Sequence, residues 1–125
     1  MEIKFKLKEV VEAGPALGKI LNSVTDAKTS YWLGKTLNKL LSEIRDIEKA
    51  RIKLVEKYGK KDIDGSTKVT KENTEAFKKE YESFLEDEIT IDMPKLKLEY
   101  LKDAKLSPVD MMALDKIIED VKEKE

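Results

Sequence analysis

The chain has 125 residues, 25 of them basic and 26 acidic, for a formal net charge of −1. That balance excludes a nucleic-acid binder held by bulk positive charge. The absence of Cys and His removes disulfides, thiolate nucleophiles, zinc sites with N/S ligands and imidazole acid-base chemistry.

Leu, Ile, Val and Phe supply 34 residues, above the roughly one-fifth share below which a charged chain stays disordered. One helical domain over residues 1–125 with a small core is expected. No window approaches the roughly 18 apolar residues needed to cross a bilayer, and the N-terminus lacks the apolar run of a signal peptide. The expectation is a cytoplasmic protein with no membrane contact.

From Glu2 to Lys8, Ile3, Phe5 and Leu7 alternate with lysines, the period-2 pattern of a half-buried strand. Val10, Leu17, Ile20 and Leu21 then recur at helical spacing, predicting a first helix from about Lys8 to Asn22. Gly14-Pro15 lies inside it, and an interior Pro removes a backbone hydrogen bond, so a kink or break is expected there. From Lys28 to Tyr58 the positions Leu33, Leu37, Leu40, Ile44, Ile47, Arg51, Leu54 and Tyr58 step by three and four, the mark of one long helix face. Leu41, Ile52 and Val55 widen the stripe, which favours packing in a globular bundle over an isolated two-stranded coiled coil. Gly59 is expected to close this helix in a left-handed cap.

Next comes a polar connection with an Asp64-Gly65 turn, with Ile63 and Val69 at the ends of a very short hairpin. Thr70 reads as the N-cap of a helix to about Glu86 whose buried face carries Phe77, Tyr81, Phe84 and Leu85. Period 2 returns with Ile89, Ile91 and Met93, and again with Leu96, Leu98 and Tyr100, as two extended segments joined at Pro94. Ser107-Pro108-Val109-Asp110 is a helix start with Ser as N-cap, Pro at the first position and an acid at the third. The last helix is expected to carry Met111, Leu114, Ile117, Ile118 and Val121, with residues 122–125 fraying. The fold class is therefore mainly α: a long antiparallel helical hairpin, two shorter flanking helices and a small two- or three-stranded sheet from the N-terminal and 88–99 segments.

Motifs that carry chemistry are weak. A calcium loop with Gly65 at its glycine position puts Lys60 and Lys71 where carboxylates belong, so the segment reads as a surface turn. Glu86-Asp87-Glu88 reads as a solvated helix end, and the dispersed glycines form no phosphate loop. No catalytic residue, metal or cofactor is called for. Candidate partner-binding residues are Tyr31, Trp32, Arg51, Met111 and Met112. Core anchoring is the first reading of Trp32 and of the two methionines, exposed contact the second. Arg51 interrupts the apolar seam, so it snorkels, pairs with an acid across the interface, or sits at an edge beside a nearby Glu.

Phe5-x-Leu7-x-Glu9-Val10 with Ala16-Leu17, Glu48-Lys49-Ala50-Arg51 through Leu54-Val55-Glu56-Lys57-Tyr58-Gly59, Glu72-Asn73 with Ala76-Phe77 and Glu80, and Leu106-Ser107-Pro108-x-Asp110 with Ala113-Leu114 appear in that order. In these motifs the chain resembles small helical proteins encoded by tailed bacteriophages and prophages, a family without an assigned activity. The resemblance implies a phage protein made in the bacterial host cell, either virion-associated or acting in the cytoplasm, and supplies no catalytic residues.

The favoured function is a non-enzymatic protein-interaction module: an assembly or virion accessory subunit or a homo-oligomeric adaptor, with a phage or host protein, or a second copy in a homodimer, as partner. An inhibitor of a host defence or replication protein is the alternative. Weak nucleic-acid binding through Lys4, Lys6, Lys8, Lys35 and Lys39 is a further one, and an enzyme using carboxylates or Lys stands last.

Overall fold

The alternation at the N-terminus is a strand, and it turns into a helix without a linker. The computed structural model of the chain describes residues 2–119. Strand β1 (Glu2–Lys6) buries Ile3 and Phe5 and pairs antiparallel with β4 (Glu88–Asp92), setting Ile3 opposite Ile91 and Phe5 opposite Ile89. Helix α1 (Leu7–Ser23) begins at the next residue. The Glu9 carboxylate accepts the Lys6 N–H at 2.8 Å, and the Leu7 N–H donates to the Asp87 carbonyl at 2.9 Å. Leu7 therefore belongs to the helix and not to the expected strand over 2–8.

Helix α1 buries Leu7, Val10, Ala13, Ala16, Leu17 and Ile20. It runs unbroken through Gly14-Pro15, contrary to the expected break. Pro15 lies on the exposed face, where the Val11 carbonyl that loses its partner is within reach of water.

Helix α2 (Ala27–Tyr58) opens on Asp26, whose carboxylate accepts the Thr29 N–H at 2.9 Å, an N-cap. Leu33, Leu37, Leu40 and Ile47 are buried, but beyond them the stripe fades: Arg51, Leu54 and Tyr58 are half-buried and Ile52 is exposed. Gly59 does not close α2 in a left-handed cap. Its backbone is extended (φ −109°, ψ 172°), and it opens β2 (Gly59–Lys61), which pairs with β3 (Thr67–Val69). The positive φ falls on Gly65 in the intervening turn, where Asp64 accepts both the N–H and the hydroxyl of Ser66. Ile63, expected at a strand end, sits fully exposed in this turn.

Thr70 makes no side-chain cap. A 3-10 turn over Lys71–Asn73 precedes α3 (Thr74–Leu85), and the Thr70 carbonyl accepts the Asn73 N–H at 3.1 Å and the Thr74 hydroxyl at 3.0 Å. Helix α3 has no fully buried residue.

The second expected extended segment is a 3-10 turn over Leu98–Leu101, so each of the two described sheets has two strands. Helix α4 (Pro108–Ala113) is also shorter than the sequence suggests. Leu96 explains this. Its N–H donates to the Ile117 carbonyl at 2.6 Å, and its carbonyl accepts the Glu119 N–H at 3.0 Å, so residues 117–119 pair sideways instead of continuing the helix. Leu114 and Ile117 are still buried. Val121 and the expected fraying at 122–125 lie outside the described residues. The mainly helical fold class holds.

Helix α4 is tied to α1 through Asp110. This carboxylate accepts the Lys19 ammonium at 2.6 Å and the Ser107 N–H at 2.9 Å, while the Ser107 hydroxyl accepts the Asp110 N–H. Lys19 first, then the Ser107 N–H, holds Asp110 below the ordinary carboxylate range. The unfolded chain therefore takes up this proton at higher pH than the folded one, and the stability it contributes is present above the ordinary value and lost as pH falls through the lowered one. Asp110→Asn is expected to lower the thermal midpoint at neutral pH and to flatten the acid limb of the stability curve, measured by circular dichroism melts from neutral pH to below pH ~4.

A Cβ at position 59 would sit 2.5 Å from the Val55 carbonyl oxygen and 2.6 Å from that of Lys68, whereas one at position 34 in α2 meets nothing within 4 Å. In urea unfolding, Gly59→Ala should cost about 2 kcal/mol, and Gly34→Ala should add about 1 kcal/mol.

Candidate partner-binding surfaces

The long helix is longer than the core it crosses, and it exposes Tyr31 and Trp32 near its start and Ile52 in its second half. At the first end stand Tyr31 and Trp32, both exposed, Trp32 by 51%. This overturns the core-anchoring reading of Trp32. The helical face that buries Leu33 and Leu37 turns residues 31 and 32 outward. Their rings meet edge to face with centroids 5.2 Å apart, and the Lys35 ammonium lies 5.4 Å from the Tyr31 ring centre, so the pair is propped by its own helix.

Trp32 also walls a cleft of about 340 Å³. Val24, Asp26, Lys28 and Thr29 close it on the α2 side, and Glu99, Tyr100, Lys102 and Asp103 on the other. Nothing in the sequence spacing joins Trp32 to Tyr100. The fold brings them together because the Leu98–Leu101 turn buries Leu101 near the start of α2.

Arg51 is not a cross-interface charge. It forks onto Glu48 of its own helix, at 3.0 Å through Nε and 2.5 Å through a terminal nitrogen. Glu48 holds the guanidinium charged, and Arg51 in turn keeps Glu48 below the usual carboxylate range. The edge reading beside a nearby Glu is the one that fits. Arg51 lies nineteen positions beyond Trp32, about 28 Å along the axis, and the two do not form one site. Met111 and Met112 are exposed, Met112 by 77%, beside an exposed Val109. The core reading fails for both, because the capping box turns Asp110 inward and leaves its neighbours outside.

The lysines considered for nucleic acid are largely engaged. Lys4 faces Glu88 at 3.3 Å, Lys6 and Lys8 share Glu86 at 2.9 and 3.1 Å, and Lys39 donates to the Asp92 carbonyl at 2.9 Å. Lys6, then Lys8, holds Glu86 well ionised, and Glu86 raises Lys6. Glu86 and Glu88 of the acidic run are thereby occupied by neighbouring lysines. Asp62 faces Lys68 at 3.4 Å. Among the described residues no group of three or more acids is placed to hold a metal ion, and no helix is long and apolar enough to cross a membrane. Comparisons of the chain with protein-family models, curated proteins and solved structures give no match.

The Lys19–Asp110 pair is not visible in the sequence, where 91 positions separate its members. The capping motif at Ser107 flags the acid but not its cation. Because the Arg51–Glu48 pair is short-range and solvated, Arg51→Ala should shift unfolding free energy by no more than about 0.5 kcal/mol, measured by urea titration.

Proposed function

We propose that this protein is a non-enzymatic interaction module of phage type, acting in the bacterial host cell by docking a protein partner, from the phage or the host, on the Tyr31–Trp32 end of α2. The observation that carries the reading is Trp32 itself. A large, rigid aromatic braced by Tyr31 and set on the lip of a cleft is the kind of side chain that anchors protein interfaces. The resemblance of the motifs at Phe5–Leu17, Glu48–Gly59, Glu72–Glu80 and Leu106–Leu114 to phage-encoded helical proteins is what suggests the setting. An accessory subunit of assembly or of the virion is the first version, and inhibition of a host defence or replication protein the second.

We also read α2 and α3 as an antiparallel hairpin that forms an arm beyond the core. Tyr58 meets Phe77 with ring centroids 6.5 Å apart, and Glu80 accepts from the Lys57 ammonium at 2.8 Å and from the Tyr58 hydroxyl at 2.6 Å. These contacts fit a helix that folds back at the β2–β3 turn.

Trp32 is the chain's one Trp, so its fluorescence reports directly on this surface. Tagged wild-type protein and Trp32→Ala, matched for melting temperature, are to be used for affinity capture from phage-infected cells. The expected result is a protein retained by the wild type and lost by the variant, which shifts Trp32 emission to the blue when added back purified. Identical retention by both proteins overturns the assignment of this surface.

A further inference from the structure

A second surface lies on the other half of α2, about 30 Å from Trp32 along the helix, and its reading is independent of the Tyr31–Trp32 surface. Between α2 and α3 runs a groove of about 360 Å³ whose floor is Ala50 and Leu54 from α2 and Phe84 from α3. All three are half-buried, so the hairpin leaves apolar area that its own core does not reach. Lys53, Lys57 and Glu80 form the rim. Lys57 and Glu80 neutralise each other. Lys53 has no ion pair or hydrogen bond among the described residues, and neither does Lys49, one turn earlier on the same side of α2. The acid in line with the floor is Asp46, a turn before Ala50, at the groove's end.

We propose that this groove receives an amphipathic helix of a partner protein, whose apolar stripe fills the floor and whose Asp or Glu side chains meet Lys49 and Lys53. Two helices side by side present a ridge-lined trough that a third helix fills, and two uncompensated lysines along one rim select an acidic edge. The same lysines disfavour a second copy. A two-fold axis through the groove returns the same patch to itself and brings Lys49 and Lys53 of one copy toward those of the other.

The test uses the full chain and three synthetic helical peptides of about 18 residues, each labelled for fluorescence anisotropy. One has a Leu stripe flanked by Glu, one the same stripe flanked by Lys, and one the Glu composition scrambled. The Glu-flanked helix is expected to bind, and to bind more weakly as salt rises. The double variant Lys49→Glu/Lys53→Glu should weaken it by about tenfold or more, and Ala50→Glu, which fills the floor, should abolish it. Both variants must keep the wild-type circular dichroism spectrum; if one does not, Lys53→Gln serves in its place, with a smaller loss expected. Equal binding of the Lys-flanked or scrambled peptide, or no binding of the Glu-flanked one, overturns the proposal. So does a dimer in sedimentation that Ala50→Glu dissolves, since the groove is then filled by a second copy.

Discussion

Helix α1 is the element on which the other contacts depend. It packs against α2 and α4, touches α3 and continues directly from β1. Its buried face is built from Leu, Ile and Val with Ala at positions 13 and 16, small side chains that let neighbours approach closely. Around that face one apolar cluster gathers Ile3 and Phe5 from β1, Leu33, Leu37 and Leu40 from α2, Ile91 from β4, and Leu96, Leu114 and Ile117 near the C-terminal end. The Lys19–Asp110 pair fixes α4 at the rim of this cluster. Each half of the chain supplies part of the core, and neither closes it alone.

The supply of apolar residues sets a limit that the long helix exceeds. Complete burial of α2 stops near Ile47, and the remainder of the helix is held by contacts of a different kind: the edge-to-face meeting of Tyr58 and Phe77, the Lys57–Glu80–Tyr58 cluster, and the close approach of Gly59 to the Lys68 backbone. These are partly solvated contacts, individually weak. Burial along α2 is thus uneven, complete at Leu33, Leu37, Leu40 and Ile47 and only partial beyond them, and local opening is easier in the partly solvated stretch.

Much of this was legible in the sequence, and the failures share a cause. Helical spacing located α1 and α2 because buried Leu and Ile repeat along a face regardless of what covers them, and α3 because half-buried Phe77, Tyr81, Phe84 and Leu85 do the same. The period-2 run at Ile3 and Phe5 and that at Ile89 and Ile91 did pair with each other. What failed was set by distant partners. Leu96 draws residues 117–119 out of a helix that their own spacing supports, and Gly59 answers to Lys68 across a hairpin instead of to the end of its helix. Trp32 shows the same limit: composition predicts that a lone Trp is buried, but its angular position beside Leu33 decides otherwise. Met111 and Met112 were misplaced for the same reason, by the inward turn of Asp110.

The register of β1 against β4 also bears on how the chain emerges during synthesis. Ile3 and Phe5 find their partners only when Ile91 and Ile89 exist, and the Leu7 amide waits for the Asp87 carbonyl. Until the Glu88–Asp92 segment has been made, strand β1 is an unpaired apolar edge of the kind that recruits other chains. Lys4, Lys6 and Lys8 interleave that edge with positive charge, and their acids, Glu86 and Glu88, arrive on the same late segment as the strand's partner. In the folded chain the pairing that covers this edge also sets those lysines against Glu86 and Glu88.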